Sequence, residues 1–306
     1  RYRRLCFLIN RHFSVLMAAF VCPGCSNSEN NSNFIFSSSP TAVIDTTVQE
    51  TDDWKFQYDK KAGGIIITEC LCANKKSDDL LKSKDADIVI PTSFDGFYGI
   101  KVVGIGEYAF HNRIMKSLTI PDTVVSIASK SFSSVEISDE LVIPNNVTFI
   151  GEEAFSYSDI KSVVLPPLEA IGSHMFESSN VEKVVMTEGT RVITNSAFKD
   201  CNKIKEIVIP DSVEEIDRDG LRFSIDTSNL DEPNFTLKLP NSLKKMDIKE
   251  LPQYVVKVAI GGTYMDSCFY PIIIFKEKTY DFVSSLGSKG YKQLSEELQA
   301  AIDSNA

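Results

Sequence analysis

The sequence predicts an α/β-type repeat solenoid of short parallel strands, with about seven repeats of ~22 residues and little regular helix. Three observations carry this. First, the triplet apolar–spacer–apolar followed by proline recurs from Ile88 to Leu251, at Pro91, Pro121, Pro144, Pro166, Pro210 and Pro240, with Thr187 in one slot. Second, a residue of Ile type stands six positions on, as Ile127, Ile150, Ile193, Ile216 and Met246; Ile171 arrives one residue early and Ile105 late. Third, five further on stand Phe110, Phe132, Phe155, Phe176, Phe198, Leu221 and Leu251. A fixed period of that length belongs to stacked units, none of which can bury its apolar face alone.

The elements follow in chain order. Arg1, Arg3, Arg4 and Arg11 precede the apolar run Phe13–Val21, which is too short to cross a bilayer as a helix. Cys22-Pro23-Gly24-Cys25-Ser26-Asn27 follows. Residues 1–24 therefore read as a signal peptide of the lipoprotein type, with Cys25 as the lipidation site. Plain secretion is the alternative. Residues 25–51 are rich in Ser, Asn and Thr and read as a flexible tether, because such a composition cannot offset its own ordering entropy.

Residues 52–87 read as a capping hairpin and lead-in. Trp54, Phe56 and Tyr58 alternate, and Gly63-Gly64 turns the chain into Ile65-Ile66-Ile67. Residues 88–251 form the solenoid. In Leu118-Thr119-Ile120-Pro121 the alternation gives a strand, and proline ends it by removing a donor. The stretch Ile150–Phe155 reads as a tight turn with a short helical segment. Residues 252–306 read as a C-terminal cap: strand-like runs from Tyr254 to Phe275, then a helix over Ser295–Ile302 with Leu294, Leu298 and Ile302 on one stripe.

Leu141-Val142-Ile143-Pro144-Asn145-Asn146-Val147-Thr148-Phe149-Ile150-Gly151-Glu152-Glu153-Ala154-Phe155 resembles the BspA-like leucine-rich repeats of bacterial surface proteins. Ile207–Ile216 and Ala197-Phe198-Lys199-Asp200-Cys201 carry the same likeness. The resemblance implies a leucine-rich repeat fold and an adhesin-like role at the cell surface. It departs at Thr187, at Gly220-Leu221 and at Glu250-Leu251, where distorted late repeats are expected.

The formal charge is −10, and without residues 1–24 it becomes −14, since that segment holds four arginines and no acids. Such a surface disfavours nucleic acid, whose phosphates need clustered Lys and Arg. The sequence offers no Walker loop or dinucleotide fingerprint. His111 and His174 read as solvated turn residues, Gly104, Gly106 and Gly151 as turn glycines, and Cys201 as a packed repeat residue. No cofactor, metal or catalytic set is expected. The pairing of Cys70, Cys72, Cys201 and Cys268 stays open.

The binding candidates lie on the outer face of the strands, because alternate residues point to opposite faces. Thr119, Val142, Val164, Val185 and Val208 share that slot, with Val89 before them and Lys238 after. A β-branched row supports a pleated ladder in any case, and it also offers an apolar strip to a partner. The expected partner is a protein or glycan on a host or neighbouring cell, with the membrane engaged through the N-terminal lipid. Two other readings are a glycan-binding or glycan-processing accessory, with aromatics at Phe94, Phe97 and Tyr98 or at Tyr264 and Tyr270, and a structural envelope scaffold.

Overall fold

Three residues of strand and a proline are too short to stand alone, so each unit of this chain is held by its neighbours. The structure is a computed structural model that describes residues 47–71, 74–75, 86–97, 99–225, 235–247, 249, 251–260, 263–269, 271–282 and 288–306. The signal segment, Cys25, tether residues 25–46, Cys72, Tyr98 and Tyr270 lie outside the described residues. Strands Glu136–Val142, Asp159–Val164, Lys183–Val185 and Glu206–Val208 pair in parallel as consecutive rungs of one ladder. Asp87–Val89 and Ser117–Thr119 make a separate parallel pair ahead of them.

The second face begins with the N-terminal hairpin. Trp54–Asp59 pairs antiparallel with Gly64–Cys70, which then pairs in parallel with Val102–Ile105; Ser126–Ile127 and Phe149–Ile150 continue the ladder. Gln49–Glu50, placed in the tether by composition, instead adds an edge strand to this hairpin. The hairpin is also clamped electrostatically. Glu69 accepts from the buried Arg113 at 2.8 Å and from Lys55 at 2.9 Å, joining cap to first coil.

Ala170–Ile171, Val192–Ile193 and Glu215–Ile216 form a second, separate ladder on this face. The break falls where Ile171 arrives early. In the other coils a turn closes by the N–H of Val124, Val147 or Val213 onto the carbonyl of Pro121, Pro144 or Pro210, at 3.0, 3.0 and 3.2 Å. Pro166-Pro167-Leu168 is one residue shorter, so the following strand is drawn out of step with its predecessor.

The turn around each phenylalanine is not helical, contrary to the sequence expectation. Two residues before and two after the ring, the backbone is left-handed: Lys130 and Ser134 around Phe132, Glu153 and Tyr157 around Phe155, His174 and Ser178 around Phe176. Residues of that hand interrupt a right-handed helix. They aim the N–H groups along the solenoid axis instead. Phe110, Phe132, Phe155, Phe176 and Phe198 donate to the next coil at Ser131, Ala154, Met175, Ala197 and Gly220, over 2.8–3.2 Å. The turns thus form a third ladder.

Inside, the five rings stack. Centroids stand 5.0, 5.2, 5.2 and 5.1 Å apart from Phe110 to Phe198, with planes within 21° of parallel. Trp54 closes the stack edge-on against Phe110 at 6.0 Å. The core continues through Leu221, Met246 and Leu251, but Thr236–Lys238 leaves the first ladder and pairs with Ile272–Phe275. The C-terminal helix, Ser288–Asp303, starts earlier than its apolar stripe indicated, with Tyr291 packed on Phe282 at 5.3 Å. It buries Leu298 and Ile302, and Gln299 donates to the Met246 carbonyl at 3.0 Å. Asn305 donates to the carbonyls of Asn241 and Leu243, so side-chain amides satisfy the last coil's backbone.

Candidate functional site

The alternation that buries Leu141, Val163, Val184 and Ile207 turns their following neighbours outward. Val142, Val164, Val185 and Val208 are register partners across consecutive strands and stand in one row. Val142 and Val208, at its ends, are 52% and 41% exposed; Val164 and Val185, flanked on both sides, are half-buried. Thr119 is exposed but belongs to the separate pair with Asp87–Val89. Its strand lies beside Glu136–Val142 without a ladder between them, and the first half of Glu136–Val142 pairs instead with Arg113–Met115. Val89 extends that outlying piece and is 64% exposed.

Beside the valines runs a polar column two residues back in each strand. Ser162 donates to Glu140 at 2.9 Å, and Lys183 pairs with Glu206 at 2.9 Å. Lys205 pairs with Glu182 at 3.0 Å just outside it. These exposed pairs hold the rim's geometry more than they add stability.

A second apolar patch escaped the sequence reading. Phe149 is 59% exposed and Val125 44%, on the other face. The signal was present: the slot before the inward Ile holds Ser126, Ala170, Val192 and Glu215 elsewhere, and a phenylalanine there is out of pattern.

The remaining candidates are occupied structurally. His111 bonds the Ser133 carbonyl at 2.9 Å, and His174 meets Glu177 at 2.9 Å. Cys201 is buried and donates to the Phe176 carbonyl at 2.9 Å; burial pushes its thiol up to about 12, which suppresses the thiolate a nucleophile needs. Phe94 stacks on Phe56 at 3.7 Å and Phe97 meets the same ring edge-on at 5.6 Å, so both rings pack against the core. An open groove of 560 Å³ beside the C-terminal helix is lined by charges of both signs, including Lys244, Lys245, Asp247 and Asp303. Among the described residues, no three His, Cys, Asp or Glu side chains converge as a metal site.

The model of the BspA type leucine-rich repeat region matches residues 103–226, in six copies. No curated protein matches the chain. Among solved structures, a leucine-rich repeat protein of T. pallidum is similar at 19% identity, covering 58% of this chain and 86% of its own, with a TM-score of 0.37. A leucine-rich cell surface protein of Faecalibacterium prausnitzii is similar at 18% identity, with a TM-score of 0.45 over 74% of this chain. A leucine-rich repeat protein of Bacteroides ovatus is similar at 17% identity, with a TM-score of 0.34 over 65% of this chain. The match spans 60% of the Faecalibacterium chain and 61% of the Bacteroides chain. Residues 103–226 of this chain thus form a BspA type leucine-rich repeat region.

Proposed function

We propose that the protein is a non-enzymatic, adhesin-like recognition module, anchored at the cell envelope through a lipid on Cys25 and binding a protein on a host or neighbouring cell. The observation that carries the reading is the solvent-facing row of Val142, Val164, Val185 and Val208 on a pre-formed sheet. A partner laid on it removes several methyl groups from water at once, each worth about 0.8 kcal/mol. Little ordering cost falls on the solenoid, because the row is held by backbone ladders before any partner arrives. Val164→Lys with Val185→Lys places two charges in that strip while leaving the strand pattern intact. The double variant is expected to keep its circular dichroism and melting temperature and to lose at least tenfold in attachment. The assay compares beads bearing wild type or variant on cell layers, matrix-coated plates and bacterial lawns. Equal attachment by a folded variant moves recognition off this face.

The anchor has its own test. Cys25→Ser is expected to shift the protein from the membrane to the soluble fraction and to abolish labelling by radioactive palmitate. Label that persists in this variant places the anchor elsewhere, and release without any prior label supports plain secretion.

A further inference from the structure

We infer that the partner presents an amphipathic α-helix, basic along one flank, which lies lengthwise on the valine row. This rests on the recognition reading above and names its ligand.

Pitch is the first argument. The four valines sit on consecutive paired strands, which stand about 4.8 Å apart. An α-helix rises about 5.4 Å per turn. One helical turn therefore falls over each coil, and the error reaches about 2 Å across the four valines. An extended strand on the same axis repeats its same-face side chains every ~6.8 Å and is out of step by the second coil. A polyproline II segment turns every ~9.3 Å, so one of its edges meets only alternate coils.

Width is the second. Lys183–Val185 and Glu206–Val208 are three residues long, while Glu136–Val142 and Asp159–Val164 run to seven and six. The narrower end of the track is about 10 Å wide, close to the 10–12 Å diameter of one helix. A helix fits along it and overhangs across it.

Charge sets the flank and direction. Asp139 and Glu140 stand exposed where the row begins at Val142, against the one exposed Lys161 on the adjoining strand, so the head keeps an excess of acid. At the other end the acid Glu206 is already neutralised by Lys183. The acidic head of the track thus calls for Lys or Arg on the first turns of the helix. The chain's net −10 favours a basic partner from a distance as well.

The test uses the full chain and synthetic probes in fluorescence anisotropy. The lead probe is a peptide of about four turns with Leu at i, i+4, i+7 and i+11 and Lys along one flank. Its controls are an isomer of the same composition with scattered leucines, a strictly alternating Leu/Lys peptide, and a proline-rich peptide. The lead probe is expected to bind saturably, at least tenfold tighter than each control. Val164→Lys with Val185→Lys should weaken it at least tenfold, and Asp139→Asn with Glu140→Gln roughly threefold. Absent binding, equal binding by a control, or binding indifferent to the valine variant overturns the helix. If attachment of the whole protein still depends on Val164 and Val185 while the lead probe neither binds nor competes, recognition by this face stands and the helical ligand falls.

Discussion

Phe155→Ala is expected to lower the unfolding free energy by about 3–5 kcal/mol. The ring is fully buried and lies between Phe132 and Phe176, each 5.2 Å away and nearly parallel. Removing it opens a void with an aromatic face on either side. The backbone around it cannot collapse freely, because the Phe155 N–H is held by the Met175 carbonyl and Phe132 by Ala154. Cost should therefore sit near the upper end for a core truncation, where relaxation is poor. A solenoid also has only nearest-neighbour contacts, so the loss should weaken the adjacent coils first. Hydrogen exchange is expected to speed up around Phe132 and Phe176 and to change least in the C-terminal helix. Denaturant melts give the energy, and Phe155→Leu, which keeps most of the volume, should cost about 1–2 kcal/mol. An unchanged melting point in Phe155→Ala would falsify the ring stack as a stabilising element.

The sequence displays this core openly because spacing alone dictates it. Pro, Ile and Phe recur at nearly fixed offsets, so the inward residues of successive coils are named by counting. What counting misses is everything set by the fit of one coil on the next. The left-handed turns use Lys130, Glu153, His174 and Ser196, which share no chemistry, so no residue type announces them. The seam after Phe149–Ile150 was visible only as a one-residue shortage at Pro166-Pro167. The outer row was legible as a pattern, but its exposure was not. Val164 and Val185 are shaded by neighbours on both sides, and Thr119 lies in a separate two-stranded sheet with Asp87–Val89. Phe149 occupies the outward slot that pairs with Ser126, where its residue type alone breaks the repeat pattern.

Gly151→Ala is expected to cost about 3 kcal/mol, although nothing in its backbone demands glycine. Sequence reading takes Gly151 for a turn glycine. Its φ is not among the positive values, which fall at Gly63, Gly96, Gly99 and Gly189. The demand is for space. A Cβ there would lie 2.3 Å from the Ser129 nitrogen and 2.7 Å from the Ser129 Cα. Those are backbone atoms of the preceding coil, and no rotamer change moves them aside. The Gly151 N–H also donates to the Ile127 carbonyl at 2.9 Å, which pulls the coils together. That bond alone is not the cause, since Ala128 and Thr194 fill the same slot and make the same bond to Ile105 and Ile171. The close approach of Ser129 is local to this coil. Gly172, one coil on, supplies the control. A Cβ at Gly172 meets only the Met175 methyl at 3.4 Å and the Ile150 carbonyl at 3.5 Å. The room exists because the second ladder is broken between Phe149–Ile150 and Ala170–Ile171, so these two coils are drawn together by Glu136–Val142 and Asp159–Val164 on the other face but by no strand pairing on this one. Gly172→Ala is therefore expected to stay within about 1 kcal/mol of wild type, and its lower unfolded-state entropy works in its favour. Equal losses in the two variants, measured by calorimetry under one set of conditions, would close the seam and place the coils at uniform spacing. A large loss at Gly151 with none at Gly172 would locate the seam where the early Ile171 sets it.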